Sequence, residues 1–162
     1  YRVWYKANTD DVFVLLSTVT GAENTQFTHE LIEGLAGCYA VSAIDVEGIE
    51  SALSNVICVD NCPEYLLPNT FTPNGDGDND VFKPLPGWRF VDQVDMQIFN
   101  RWGNLVFKTQ DPAISWNGTA SNGKRVSDGT YYYICKVFAS GLAPAQTATV
   151  TLSGWIEILG GE

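Results

Sequence analysis

Residues 67–82 read LPNTFTPNGDGDNDVF: a short apolar lead, a run of Asn, Gly and Asp, and a return to Val81 and Phe82. From Asn74 every second residue carries a side-chain oxygen (Asn74, Asp76, Asp78, Asp80), while Gly75 and Gly77 open positive φ to the backbone. Two readings fit such a loop. Alternating oxygens interleaved with glycine can supply several of the six to eight hard ligands calcium wants. The same residues can instead form Asx-turns that shape a tight connection without an ion. An EF-hand is excluded, because the sixth position counted from Asn74 is Asn79 rather than Gly and the twelfth is Leu85 rather than Glu.

Before this loop the chain is rich in short alternating runs. Tyr1 to Lys6 and Val12 to Val19 predict two strands joined at Asp10-Asp11. Thr25 to Leu31, Cys38 to Ile44 and Ala52 to Val59 are three further candidates, the last two turning at Gly48. After the loop, Val94, Met96 and Ile98 alternate with polar residues, and Asn100 to Asn104 turns the chain into Leu105 to Lys108. Ile114 to Trp116 reads as a brief strand, and Thr130 to Phe138, apolar or aromatic on both faces, as a central one. At the end, Ala148, Val150, Leu152, Gly154, Ile156 and Ile158 share one face of a long strand; Thr147, Thr149, Thr151, Ser153, Trp155 and Glu157 share the other. No segment sustains a 3.6-residue period, so the chain is expected to be all-β.

The 162 residues, 45% of them hydrophobic, suffice for two cores. The formal net charge of −10 argues against nucleic acid and anionic membranes as partners. No apolar run is long enough for a membrane helix, so direct insertion is not expected. Catalytic constellations are missing: there is no HExxH, GxSxG, P-loop or GxGxxG, and a single histidine, His29, leaves little room for a nucleophile and base pair. Asp92 and Asp95 read as part of a solvated face. A non-enzyme is expected. Asn117-Gly118-Thr119 matches the glycosylation triplet, a pattern frequent by chance that a bacterial context would leave unused. Trp88, Trp102 and Trp155 are candidates either for a sugar platform or for packing over sheet edges.

The cysteines, Cys38, Cys58, Cys62 and Cys135, lack the paired CxxC spacing of a zinc knuckle and point to disulfides in an oxidising compartment. Cys38 and Cys58 are equidistant from Gly48, so a regular hairpin sets them opposite one another. Elimination then pairs Cys62 with Cys135.

Tyr39-x-Val41-x-Ala43, followed by Gly48, Ser51 and Ser54, resembles the last two strands of a fibronectin type III domain. On that comparison residues 1–60 are the C-terminal part of such a domain, incomplete at its N-terminus, and residues 61–68 are a short linker with two prolines. Residues 69–162 carry a second resemblance. LPNTFTPNGDGDNDVF, VDMQIFNRWGNLVF (94–107), Trp116-Asn117-Gly118, Gly123, VSDGTYYYI (126–134) and GWIEIL (154–159) together resemble the type B C-terminal sorting domain of type IX secretion cargo, the gliding-motility-associated domain of Bacteroidota. Asn117 stands where that family usually has Asp, and Gly160 to Glu162 run past its usual end.

The resemblance implies two immunoglobulin-like or fibronectin-like antiparallel β-sandwiches. It also implies a sorting role for a large surface protein, often an adhesin, exported through the periplasm to the outside of the outer membrane. Its partners would be the type IX translocon and an outer-membrane barrel of the PorP/SprF type. Trp155, on the polar face of its strand, and the hairpin tip Arg101-Trp102 are the expected partner contacts, as exposed aromatics at interfaces often are.

Overall fold

The computed structural model describes residues 1–30, 34, 36–142 and 150–160, and among these there are nine strands and no helix. Two compact units form, the first built on Tyr1–Asn61 and the second on Cys62–Ser140 together with the last strand. The chain is all-β, as its periodicity requires.

In the first unit β1 (Arg2–Lys6), β2 (Val14–Thr18), β3 (Gly37–Ser42) and β4 (Ile57–Val59) make one antiparallel sheet in the order β2-β1-β3-β4. The turn between β3 and β4 follows Gly48 at φ +85°, with the Asp45 carboxylate accepting from the Glu47 and Ile49 amides. Cys38 and Cys58 face each other across β3 and β4, their Cα atoms 4.0 Å apart, and are disulfide-bonded. The expected strand from Ala52 shrinks to Ile57–Val59 for a specific reason. Ser51 and Ser54 place their hydroxyls where a neighbouring strand would offer carbonyls, accepting from the Ala43 and Val41 amides at 2.9 and 3.1 Å. Their own amides donate back to the Ala43 and Val41 carbonyls. Serine hydroxyls and serine amides together thus satisfy the β3 edge without a continuous backbone ladder. Residues 25–30 form no strand, and Leu31, the end of that candidate, lies outside the described residues. His29 instead bonds the Tyr39 hydroxyl at 2.9 Å and packs edge-on against Tyr5.

The second unit is a five-stranded sheet of β5 (Thr70–Phe71), β6 (Val91–Phe99), β7 (Leu105–Thr109), β8 (Gly129–Ala139) and β9 (Val150–Ile158), in the order β5-β9-β8-β6-β7. All its pairings are antiparallel except β5 with β9, which is parallel. Ala148, Thr147 and Thr149 of the expected last strand lie outside the described residues. The inner face is fully buried at Val94, Met96, Ile98, Ile156 and Ile158. Its cover is a layer of loops carrying Tyr65, Phe82, Ile114 and Trp116.

Trp116, 1% exposed, is the hub of that layer: its ring lies 5.3 Å from Phe71, 5.7 Å from Phe107 and 5.9 Å from Tyr131, and its indole N–H donates to the Thr119 carbonyl. The expected strand at Ile114–Trp116 is not formed. Ile114 and Ser115 both take left-handed backbone, φ +57° and +52°, which turns the chain inward and leaves only an isolated bridge from Trp116 to Phe82.

The elimination that paired Cys62 with Cys135 fails. Both thiols are free; Cys135 is buried on the inner face of β8, where Tyr131, Tyr133 and Val137 also pack into the core, while Cys62 is exposed.

Candidate recognition surface

Among the described residues, the sheet of the second unit has its loop layer on one side only. On the outer side the register aligns Leu105, Phe99, Tyr132 and Trp155 in one row across β7, β6, β8 and β9. Alternation puts these residues outward, because Ile98, Tyr131, Tyr133 and Ile156 beside them point into the core. Tyr132 is 51% and Trp155 47% exposed. Thr130 to Phe138, apolar on both faces in sequence, is therefore central in strand order but buried on one face only.

The row ends beside the β6–β7 hairpin. Its turn is fixed by Gly103 at φ +80° and by the Asn100 side-chain oxygen, which accepts from the Trp102 and Asn104 amides. This leaves Trp102 76% exposed, with the Arg101 guanidinium 5.5 Å from its ring centre. Arg101 also reaches the start of β8: a Cβ added at Gly129 would come within 3.1 Å of its terminal nitrogen. Trp102, Arg101 and Trp155 therefore occupy one end of one sheet. Trp88 does not join them and packs edge-on against Tyr65 at 6.0 Å.

The acidic loop is pinned where Phe71 meets Phe82, ring centres 5.9 Å apart. Within it the Asp80 carboxylate accepts from the Gly75 and Gly77 amides at 2.6 and 2.8 Å. Asp76 accepts from the Asp78 amide at 2.8 Å and from the Asn74 carboxamide at 2.9 Å. The Asp78 amide, then Asn74, hold the Asp76 carboxyl below its ordinary range. Each of these oxygens already accepts from a donor of the loop itself, and among the described residues no three acidic, histidine or cysteine side chains converge to hold a metal. The geometry is that of nested Asx-turns.

Asn117 likewise spends its side-chain oxygen on the Thr119 amide, and Gly118 at φ +79° lets the loop pass Pro73, 3.4 Å from where a Cβ would stand. Among the described residues no helix is long and apolar enough to cross a membrane.

Phe99, Tyr132 and Leu105 escaped the sequence reading, since aromatics on both faces of a run suggest double burial. The signal was in the pairing of runs: only a register placing Phe99, Tyr132 and Trp155 together makes them a surface.

No curated protein matches the chain. Residues 65–158 match the family model of the CHU_C type IX secretion signal domain. The matched span opens at Tyr65, whose ring belongs to the loop layer, and closes at Ile158, the last residue of β9. It takes in all five strands of the second sheet and more than half of the chain, which therefore belongs to the CHU_C type IX secretion signal family.

Proposed function

We infer that this chain is a non-catalytic sorting signal that delivers a large cell-surface protein of the adhesin type, in a gliding bacterium of the Bacteroidota, to the exterior of the outer membrane. Residues 69–162 are the signal proper, residues 61–68 a linker, and residues 1–60 part of a fibronectin-like module of the cargo. Recognition falls to the translocon and to a companion barrel of the PorP/SprF type, with Trp155, Trp102 and Arg101 as contacts.

The family match over residues 65–158 carries this reading. Supporting it, the three named side chains lie at one end of the sheet, where an aromatic anchor is free to be buried by a partner. The test is a periplasmic reporter fused to residues 64–162 in a host with a working type IX system. Surface display is expected; a reporter that stays in the periplasm as folded protein refutes the role.

A further inference from the structure

Beside the aromatic row, the outer face of the second sheet changes character. Lys108 lies opposite Gln97 across β7 and β6, and Ile134 and Ser153 continue that line on β8 and β9. One line further, Asp95 lies opposite Lys136. Asp95, Gln97, Lys108, Thr109 and Gln110 line a concavity of about 500 Å³, within the range of small-ligand sites.

The Gln97 carboxamide donates to the two Asp95 carboxylate oxygens at 3.2 and 3.4 Å, which orients both planar groups. Gln97 keeps its carbonyl oxygen, and Asp95 its remaining lone pairs, for another partner. Lys108 and Gln110 make no side-chain hydrogen bond or ion pair among the described residues. The concavity thus gathers a carboxylate, two carboxamides and an ammonium with donors and acceptors both unspent, beside the Thr109 hydroxyl, which accepts from the Asp111 amide at 3.1 Å. Asp95 stands between Lys108 and Lys136, so the face mixes both signs with no strong field of either, which gives little hold on a highly charged ligand and suits one rich in hydroxyls. On the same face, beyond the line of Ile134 and Ser153, stand the exposed rings of Tyr132 and Trp155, within the span of an oligosaccharide but not of a single sugar ring.

A pyranose matches this pairing: its hydroxyls both donate and accept, and its C–H face stacks on aromatic rings. A protein docking here would have to bring polar side chains into the concavity to satisfy the same cluster, whereas a hydroxyl-rich ligand carries matching donors and acceptors on every ring. We propose that the outer face of this sheet binds a neutral oligosaccharide, its hydroxyls held by Asp95, Gln97 and Lys108 and a sugar ring stacked on Tyr132 and Trp155. This activity shares Trp155 with the proposed secretion contacts but does not rest on the sorting role.

The test titrates the whole chain calorimetrically with cellohexaose, maltohexaose, mannohexaose and chitohexaose. Saturable binding of at least one is expected, weakened about tenfold in Gln97→Ala, which removes a charge-oriented hydrogen-bonding group, and by a similar factor in Tyr132→Ala. Both variants should melt like the parent. Absence of binding to all four sugars overturns the proposal, as does binding indifferent to both substitutions. If no sugar binds and the folded Gln97→Ala reporter fusion is held in the periplasm, the face docks a protein instead and the saccharide reading falls.

Discussion

Ser115 shows how much a single backbone angle decides. It is exposed yet sits at φ +52°, directly after Ile114 at +57°, and this left-handed pair aims Trp116 into the core. For a residue with a Cβ the left-handed region costs roughly 1 to 2 kcal/mol, which glycine does not incur. Ser115→Gly is therefore expected to stabilise the second unit by about 0.5 to 1 kcal/mol in urea denaturation, the gain being cut by the greater freedom of the unfolded glycine. Trp116→Ala should cost about 3 to 5 kcal/mol, since the cavity opens between Phe71, Phe107 and Tyr131.

The two free thiols differ in the same residue-level way. Burial, and secondarily the Asp95 charge, push the Cys135 thiol up from 9.0 to about 12. A thiol reagent at pH 8 should label only Cys62 in the native protein and both thiols in urea. The sign for stability follows: the Cys135 contribution is intact below pH 9 and is lost as pH rises towards 12, because the unfolded thiol ionises first.

Among the elements, the acidic loop is held without a sheet ladder and β4 by a three-residue ladder pinned with a disulfide. With Asp76 and Asp80 already accepting from their own loop, millimolar calcium should leave the melting temperature of chelator-treated protein unchanged. A rise with calcium concentration would mean that the loop reopens around the ion. β4 depends on Cys58, whose link to Cys38 closes a separation of 20 residues; reducing it should cost the first unit about 3 kcal/mol in the chain-entropy model.

The elements most legible in sequence were β6 and β9, because a strand buried on one face writes its orientation into every second residue. Less legible was the segment from Ala52 to Val56, whose composition suits a strand but whose serine hydroxyls replace one. Ile114–Trp116 was misread because nothing in a β-branched residue announces positive φ. The Cys38–Cys58 pair followed from local spacing. A pairing of Cys62 with Cys135 assumed that every cysteine must find a partner, although a buried thiol is an ordinary core residue. At the recognition surface, Trp155 stood out as the one large aromatic on a polar face, whereas Tyr132 and Phe99 needed the register of three strands.

At the scale of the whole molecule, a secretion signal can fail by unfolding or by losing its contacts, and the two must be separated. β9 pairs with β8 along its length and with β5 at its end, and it supplies Ile156 and Ile158 to the core. Truncation before Val150 removes that strand, so loss of circular dichroism and of export would follow together and say nothing about recognition. Trp155 lies on the same strand but faces outward, and Trp102 stands at the hairpin tip, so neither holds the sheet. Replacing either by alanine should leave the spectrum and the melt nearly unchanged. If each is an anchor worth about 2 kcal/mol, partner affinity falls roughly thirtyfold and the folded reporter accumulates in the periplasm. Normal surface delivery by both single variants and by the double variant would remove these residues as contacts, and would leave the family's sorting role to another face of the sheet.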